Sequence, residues 1–168
     1  MALAFLSWDK KWTHKLEHLA QRKIWWKRVG LAGAVWALPV LIAVGIVFQD
    51  MSWQVWLGYG FSLVLVWLAT VALEFIFWRP RPFDAEKILP LMRPLWDTPS
   101  FPSGHAALAW ATIMLLGAVE PWMGWMTVPV AIWICLSRVL VGVHYLGDVL
   151  AGAVFGLGAG WILTLIFL

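Results

Sequence analysis

The stretch SGHAALAWATIMLLGAVEPWMGWMTVPVAIWICLSRVLVGVHYLGD, residues 103–148, decides how this chain is built. Apolar runs cover 103–119 and 122–141, and a third starts at 145 and continues to 168. Charged residues within the quoted stretch are confined to its seams, at Glu120, Arg138 and Asp148. Each run is long enough to cross a bilayer as a helix, although the first is short and would need little tilt. Strands are excluded: an open edge would leave unpaired backbone groups in hydrocarbon, and no alternating pattern supports a closed barrel.

The same pattern continues toward the N-terminus, at about 29–48 and 54–77. The expected fold is therefore all-α: a polytopic transmembrane helix bundle with about five spans. Composition agrees, with 62% of the 168 residues hydrophobic and 12% charged and a mean hydropathy of +0.82, where soluble domains carry about a quarter charged residues. Many of the 15 tryptophans lie near segment ends, at Trp25, Trp26, Trp53, Trp78, Trp122 and Trp125. There the ring body lies in acyl chain and the N–H in the headgroup layer. Cys135 is the lone cysteine, which excludes a disulfide framework and reads as a small packing residue. No cleavable signal peptide is expected, because the apolar start Met1–Leu6 is short and is followed by charge.

Residues 7–28 read SWDKKWTHKLEHLAQRKIWWKR. Trp8, Trp12, Leu16, Leu19 and Ile24 recur at roughly helical spacing among Lys10, Lys11, Lys15, Arg22, Lys23, Lys27 and Arg28. This predicts an interfacial amphipathic helix lying on the membrane, with a solvated basic arm as the alternative. The net charge of +3 sits beside membrane segments, so no nucleic-acid partner is expected.

Gln49–Trp53 and Glu120–Pro121 read as tight turns, while 78–102, WRPRPFDAEKILPLMRPLWDTPSFP, is one long loop. It holds six of the nine prolines and cannot be a regular helix. Counting crossings puts the basic arm, this loop, the start of span three, the end of span four and the start of span five on one side. Arg79 and Arg81, then Ser103-Gly104-His105, then Arg138, His144 and Asp148 thereby converge.

Each of these residue types suits phosphoryl transfer. Arg81 and Arg138 offer planar forks of donors to phosphate oxygens. Ser103 and Gly104 open a helix, whose first N–H groups and dipole favour an anion. His144 and Asp148 are four apart, so on a helix the carboxylate can take one ring nitrogen and leave the other to attack phosphorus. His105 is suited to protonating the leaving oxygen. The plain readings are structural histidines, Arg79 and Arg81 as interfacial anchors, and Gly147 and Gly152 as helix-packing residues; the last is preferred for both glycines. The joint pattern outweighs the first two, since ionisable groups in a membrane are costly and usually functional.

Arg81-Pro82, Pro102-Ser103-Gly104-His105 and Ser137-Arg138-x5-His144-x3-Asp148 resemble the three-part signature of the type 2 phosphatidic acid phosphatase (PAP2) superfamily. The resemblance implies one PAP2-like membrane domain over 1–168, and a metal-independent lipid phosphatase with no cofactor and a phosphohistidine intermediate. It implies that His144 attacks, Asp148 orients it, His105 donates a proton, and Arg81, Arg138, Ser103 and Gly104 bind phosphate. The family has a lysine, six intervening residues and then its Arg-Pro; counting back from Arg81, this chain has Glu74 at the lysine's place. Glu74 is expected to pair with Arg79 or Arg138 and to modulate the site, and Arg79 to stand in for the lysine as a phosphate ligand. Asp84, Glu86 and Asp97 fit no magnesium-ligand spacing and read as solvated loop carboxylates.

The expected partners are membrane lipid and a lipid phosphate substrate of the undecaprenyl diphosphate, phosphatidylglycerol phosphate, phosphatidate or lipid A phosphate type. Lys87 and Arg93 in the loop are the expected headgroup selectors. A non-catalytic lipid-binding protein retaining the fold is the alternative, favoured only by Glu74. A transporter lacks support, with no repeat of broken helices. The expected location is a bacterial inner membrane. Its side is argued two ways: all 12 lysines and arginines fall at the active-site side, which the positive-inside rule places in the cytoplasm, while bacterial relatives commonly face the periplasm. The cytoplasmic side is taken, because the seven basic residues of the N-terminal arm match no motif.

Overall fold

A computed structural model describes residues 2–47, 52–86, 89–94 and 96–168. Lys87, Asp50 and most of the expected turn Gln49–Trp53 lie outside them. The described residues form helices and connecting loops, without strands. In chain order the helices are α1 (Ala2–Arg22), α2 (Ile24–Ala32), a π-helical turn Gly33–Ala37, α3 (Leu38–Val47), α4 (Trp53–Phe77), α5 (Pro82–Glu86), α6 (Gly104–Val119), α7 (Pro121–Leu140) and α8 (Leu146–Phe167). Four stretches are long and apolar enough to cross a membrane, and α6 is a shorter apolar helix. This is the expected five-span arrangement.

The short α6 lies at the centre. It packs against α8, α7, α4 and α3, and Ala106, Ala107, Ala109, Ala111, Leu115 and Leu116 along it are fully buried. Surrounded by protein rather than lipid, it does not have to match the hydrocarbon thickness by itself. Its alanines let α8 approach closely. Gly152 and Gly156 of α8 lie against the backbone carbonyls of Ser103 and Ala107, leaving no room for a Cβ, and Gly160 lies against Ala111. The packing reading of Gly152 holds, by the small-residue logic of membrane helices. By contrast α4 turns Leu57, Phe61, Val64, Leu68 and Ile76 outward, as a lipid-facing helix does.

The first span begins at Ile24 rather than 29, after a break at Lys23, whose backbone is extended. Its π turn precedes Pro39. Proline has no N–H to give and its ring crowds the preceding turn, so a local change of register is expected there. Gly33 in that turn sits against Ser137 and Trp133 of α7.

The basic arm expected over 7–28 is divided: 7–22 belong to α1, while Lys27 and Arg28 fall in the first turns of the first span, and α1 has three faces rather than two. Trp8, Trp12 and Leu19 are exposed, beside the lysines. A separate stripe, Asp9, Thr13, Glu17 and Ala20, is buried against the bundle. The helix therefore lies at the interface and is also docked on the protein. The loop 78–102 includes one helical turn, α5, opened by Pro82 where a missing N–H costs nothing. Glu86 at its end meets His14 and, at 3.8 Å, Lys10 of α1.

Candidate active site

The segment after α4, the start of α6 and the α7–α8 junction bring the three motifs to one end of the bundle, around a cavity of about 730 Å³. Glu74, Arg81, Thr98, Gly104, His105, Arg138 and His144 line it, together with Val35, Trp67, Val71 and Leu108. Val35 and Trp67 are also exposed on the outer surface. Among the described residues the α4 backbone does not approach that of the first span, and with Val35 and Trp67 exposed on either side the cavity opens sideways between them.

His144 does not belong to α8. Tyr145, with extended backbone, is the N-cap, and the helix starts at Leu146. The helical i,i+4 geometry expected for His144 and Asp148 therefore does not apply, and Asp148 Oδ2 lies 3.8 Å from His144 Nδ1. The Ser100 carbonyl accepts from Nδ1 at 2.8 Å instead. A carbonyl can only accept, so Nδ1 carries the proton and Nε2 is left with its lone pair. Nε2 faces the cavity, 3.5 Å from Arg81 Nη1. Burial, above all, and then the Arg81 and Arg138 charges bring the His144 pKa down from 6.5 to about 4, against the pull of Asp148. The ring is neutral at pH 7.

Asp148 is fully buried and fully engaged. Oδ1 accepts from Arg79 Nη1 at 2.6 Å, and Oδ2 accepts from the Tyr145 N–H at 2.9 Å and from the Ser100 hydroxyl. Ser100 thus joins the carboxylate, through its hydroxyl, to the histidine, through its carbonyl. Sequence reasoning missed Ser100; the only signal was a second Pro-Ser step, Pro99-Ser100, just before Pro102-Ser103.

Arg81 is held by the loop it enters. Nε donates to the Thr98 carbonyl at 2.8 Å, Nη2 to the Thr98 hydroxyl at 3.0 Å and Nη1 to the Val143 carbonyl at 3.1 Å. Its other Nη1 N–H is directed at His144 Nε2, 3.5 Å away, so one of its five N–H groups remains for the cavity. Arg138 donates through Nη1 to the Ala34 carbonyl at 3.3 Å, in the π turn. Pro39, five along from Ala34, has no N–H to offer that carbonyl in the π register. Arg138 Nε and Ser103 Oγ are buried without a hydrogen-bond partner among the described residues, and no carboxylate there pairs with Arg138. Unmet buried donors are expensive unless something occupies the site. A Cβ at Gly104 would meet only Glu74 and Thr70 atoms at 3.7 Å, so the space over the α6 N-terminus belongs to the cavity. The donor set fits an anion with several oxygens.

Two expectations need correction. Arg79 does not line the cavity: it bridges Asp148 and, through Nη2 at 2.7 Å, Asp9, and stacks 4.0 Å over the Tyr145 ring. Its charge is consumed by two carboxylates. Glu74 pairs with neither Arg79 nor Arg138; Thr98 and Arg81 face its carboxyl within the cavity. Its position one turn before the end of α4 points it across the site, away from Arg79 beyond the left-handed turn at Trp78. Arg93 lines the cavity, and Lys87 lies outside the described residues.

The fold and site define an integral membrane helical protein with a neutral histidine set against two arginines in a laterally open cavity. The PAP2 superfamily model matches residues 55–168, and the chain belongs to that superfamily. It is 40% identical over 62 residues to a lipid A 1-phosphatase of Rhizobium etli, covering 37% of this chain and 25% of that protein. It is 30% identical over 150 residues to a decaprenylphosphoryl-5-phosphoribose phosphatase of Mycobacterium tuberculosis, covering 86% of this chain and 73% of that one. The chain thus spans a quarter of the first of these relatives. The crystal structure of Aquifex aeolicus LpxE superimposes with a TM-score of 0.61 at 25% identity, over 92% of this chain and 94% of that one.

Proposed function

We propose that this protein is an integral membrane phosphatase that hydrolyses a lipid phosphate or lipid diphosphate through a phosphohistidine intermediate. The observation that carries the reading is an unprotonated His144 Nε2, 3.5 Å from Arg81 Nη1, on one cavity with the Arg138 fork. In this mechanism the phosphoryl group docks on Arg81, Arg138, Ser103 and the α6 N-terminus at Gly104. His144 Nε2 attacks phosphorus, and His105 gives a proton to the departing lipid oxygen. Water then attacks the phosphohistidine, losing its proton to His105, and phosphate leaves. Asp148 acts through Ser100 and supports the imidazole as charge develops on it.

The lateral opening supports a membrane-resident substrate, since an acyl or prenyl chain can remain between α4 and the first span while its headgroup reaches the arginines. The relatives' names supply the lipid phosphate class. Undecaprenyl diphosphate, phosphatidylglycerol phosphate, phosphatidate, a lipid A phosphate and a polyprenyl phosphosugar phosphate form the panel to test. The reading takes 1–168 as one membrane domain, in a bacterial inner membrane, and requires no metal or other cofactor.

Phosphate release by purified protein in detergent, across that panel and in excess chelator, tests the proposal. Wild type is expected to turn over at least one lipid, and His144→Ala none, with a loss beyond about 1000-fold for removal of a covalent nucleophile. Turnover by His144→Ala near the wild-type rate would defeat the mechanism, and loss of all activity in chelator would defeat metal independence.

A further inference from the structure

The buried stripe of α1 reaches the catalytic end of the bundle, although α1 lies outside the residues 55–168 that the family model matches. Asp9 is fully buried. Its Oδ1 accepts from the Gly147 N–H at 2.7 Å, and its Oδ2 from Arg79 Nη2 at 2.7 Å. One turn along, the Thr13 hydroxyl accepts from the Leu146 N–H at 3.0 Å. The first two N–H groups of α8 are thus capped by another helix. A Cβ at Gly147 would lie 2.9 Å from the Asp9 carboxylate, so a side chain there would collide with it. This glycine serves Asp9, beyond the helix packing expected of it.

The bonds run on without a break. Arg79 hands its other nitrogen, Nη1, to Asp148 Oδ1 at 2.6 Å. Asp148 holds the Ser100 hydroxyl, and the Ser100 carbonyl holds His144 Nδ1 at 2.8 Å. A guanidinium gripped at both ends by carboxylates and stacked on Tyr145 has one orientation left to it. We propose that Asp9 is a positioning residue for the phosphoryl transfer: through Arg79 and the Gly147 N–H it fixes the Asp148 carboxylate, and hence the histidine that attacks. This rests on the phosphatase reading above.

The plainer role for Asp9 is to dock α1, and the two roles separate kinetically. Asp9 does not line the cavity, so Asp9→Asn should lower kcat by about 10- to 100-fold, as misplacement of a reacting group does, while KM stays within about twofold. Thr13→Val removes the neighbouring cap on the same helix without touching Arg79. It should lower thermal stability and leave kcat per folded molecule near wild type. Asp9→Asn should cost little more in an Arg79→Gln background, because the two residues act as one unit.

These constants would be measured on the lipid that the wild type turns over fastest, with the folded fraction determined for each variant. Should Asp9→Asn not fold, Arg79→Lys serves instead, since an ammonium cannot bridge both carboxylates in the same plane, and the same loss of kcat at constant KM is expected. Wild-type kcat in the folded Asp9 or Arg79 variant, a loss confined to KM, or additive effects of the two substitutions would overturn the proposal. An inactive wild type would defeat the phosphatase reading and this inference with it, whereas an active wild type with an equally active Asp9→Asn defeats this inference alone.

Discussion

His144 works in the form its surroundings select. Burial and two neighbouring arginines keep the ring neutral down to about pH 4, and neutral imidazole is the nucleophile. Activity that depends on it is lost as pH falls through that value, not through 6.5. The acid limb of kcat/KM, corrected for ionisation of the substrate phosphate, is therefore expected near pH 4; a corrected limb at 6.5 would mean that the ring titrates as it does in water. His144, His105, Arg81 and Arg138 were legible in the sequence because their motif spacing and their places at segment ends were visible there. The link from Asp148 to His144 was not. It was read as a contact along one helix, but the helix begins two residues after His144, and Ser100, 44 residues away, fills the gap.

Among the helices, α1 shows how a periodicity can be read correctly and still incompletely. Its tryptophans and lysines predicted an interfacial helix, while Asp9, Thr13 and Glu17, at spacings of four, form a buried polar stripe. That stripe was visible, but polar residues on a surface helix look solvated until the bundle they face is known. It also makes docking pH-dependent. Burial, chiefly, pushes the Glu17 carboxyl up from 4.5 to about 7, with Glu86 adding to the rise and His14, 3.5 Å away, opposing it. An acid with a raised folded-state pKa stabilises the fold below its unfolded value, and loses that contribution as pH rises through the folded one. The window is 4.5 to about 7. Glu17→Gln is expected to raise the melting temperature relative to wild type at about pH 8 and to change it little at pH 4.5. Thermal unfolding in detergent at the two pH values checks this, and an equal shift at both would remove Glu17 as the cause.

For the molecule in its membrane, the docked α1 strengthens the charge argument, because it fixes the basic arm to the same end as the site. Seven of the 12 lysines and arginines belong to that arm and match no motif. Anionic lipid of a cytoplasmic leaflet would attract them. The active-site end is accordingly expected in the cytoplasm. Asp84 is exposed on α5 at this end, so Asp84→Cys in a Cys135→Ser background reports its side. A membrane-impermeant thiol reagent should label it in inverted vesicles and not in intact cells; labelling of intact cells would place the site outside.

Hydrophobicity and motif spacing were enough to establish a helical membrane bundle, the side on which its polar ends meet, and the charged and imidazole side chains around the cavity. Those properties follow from what hydrocarbon demands of a backbone and from the run of residues along one chain. Which cation each carboxylate holds is another matter. Arg79 went to Asp148 and Asp9 rather than to phosphate, and Glu74 faces Thr98 and Arg81. These pairings depend on distances between segments far apart in sequence. In a buried, low-dielectric site a displacement of a few ångströms decides whether a charge is paired or free for substrate, and such displacements arise only when the helices have packed.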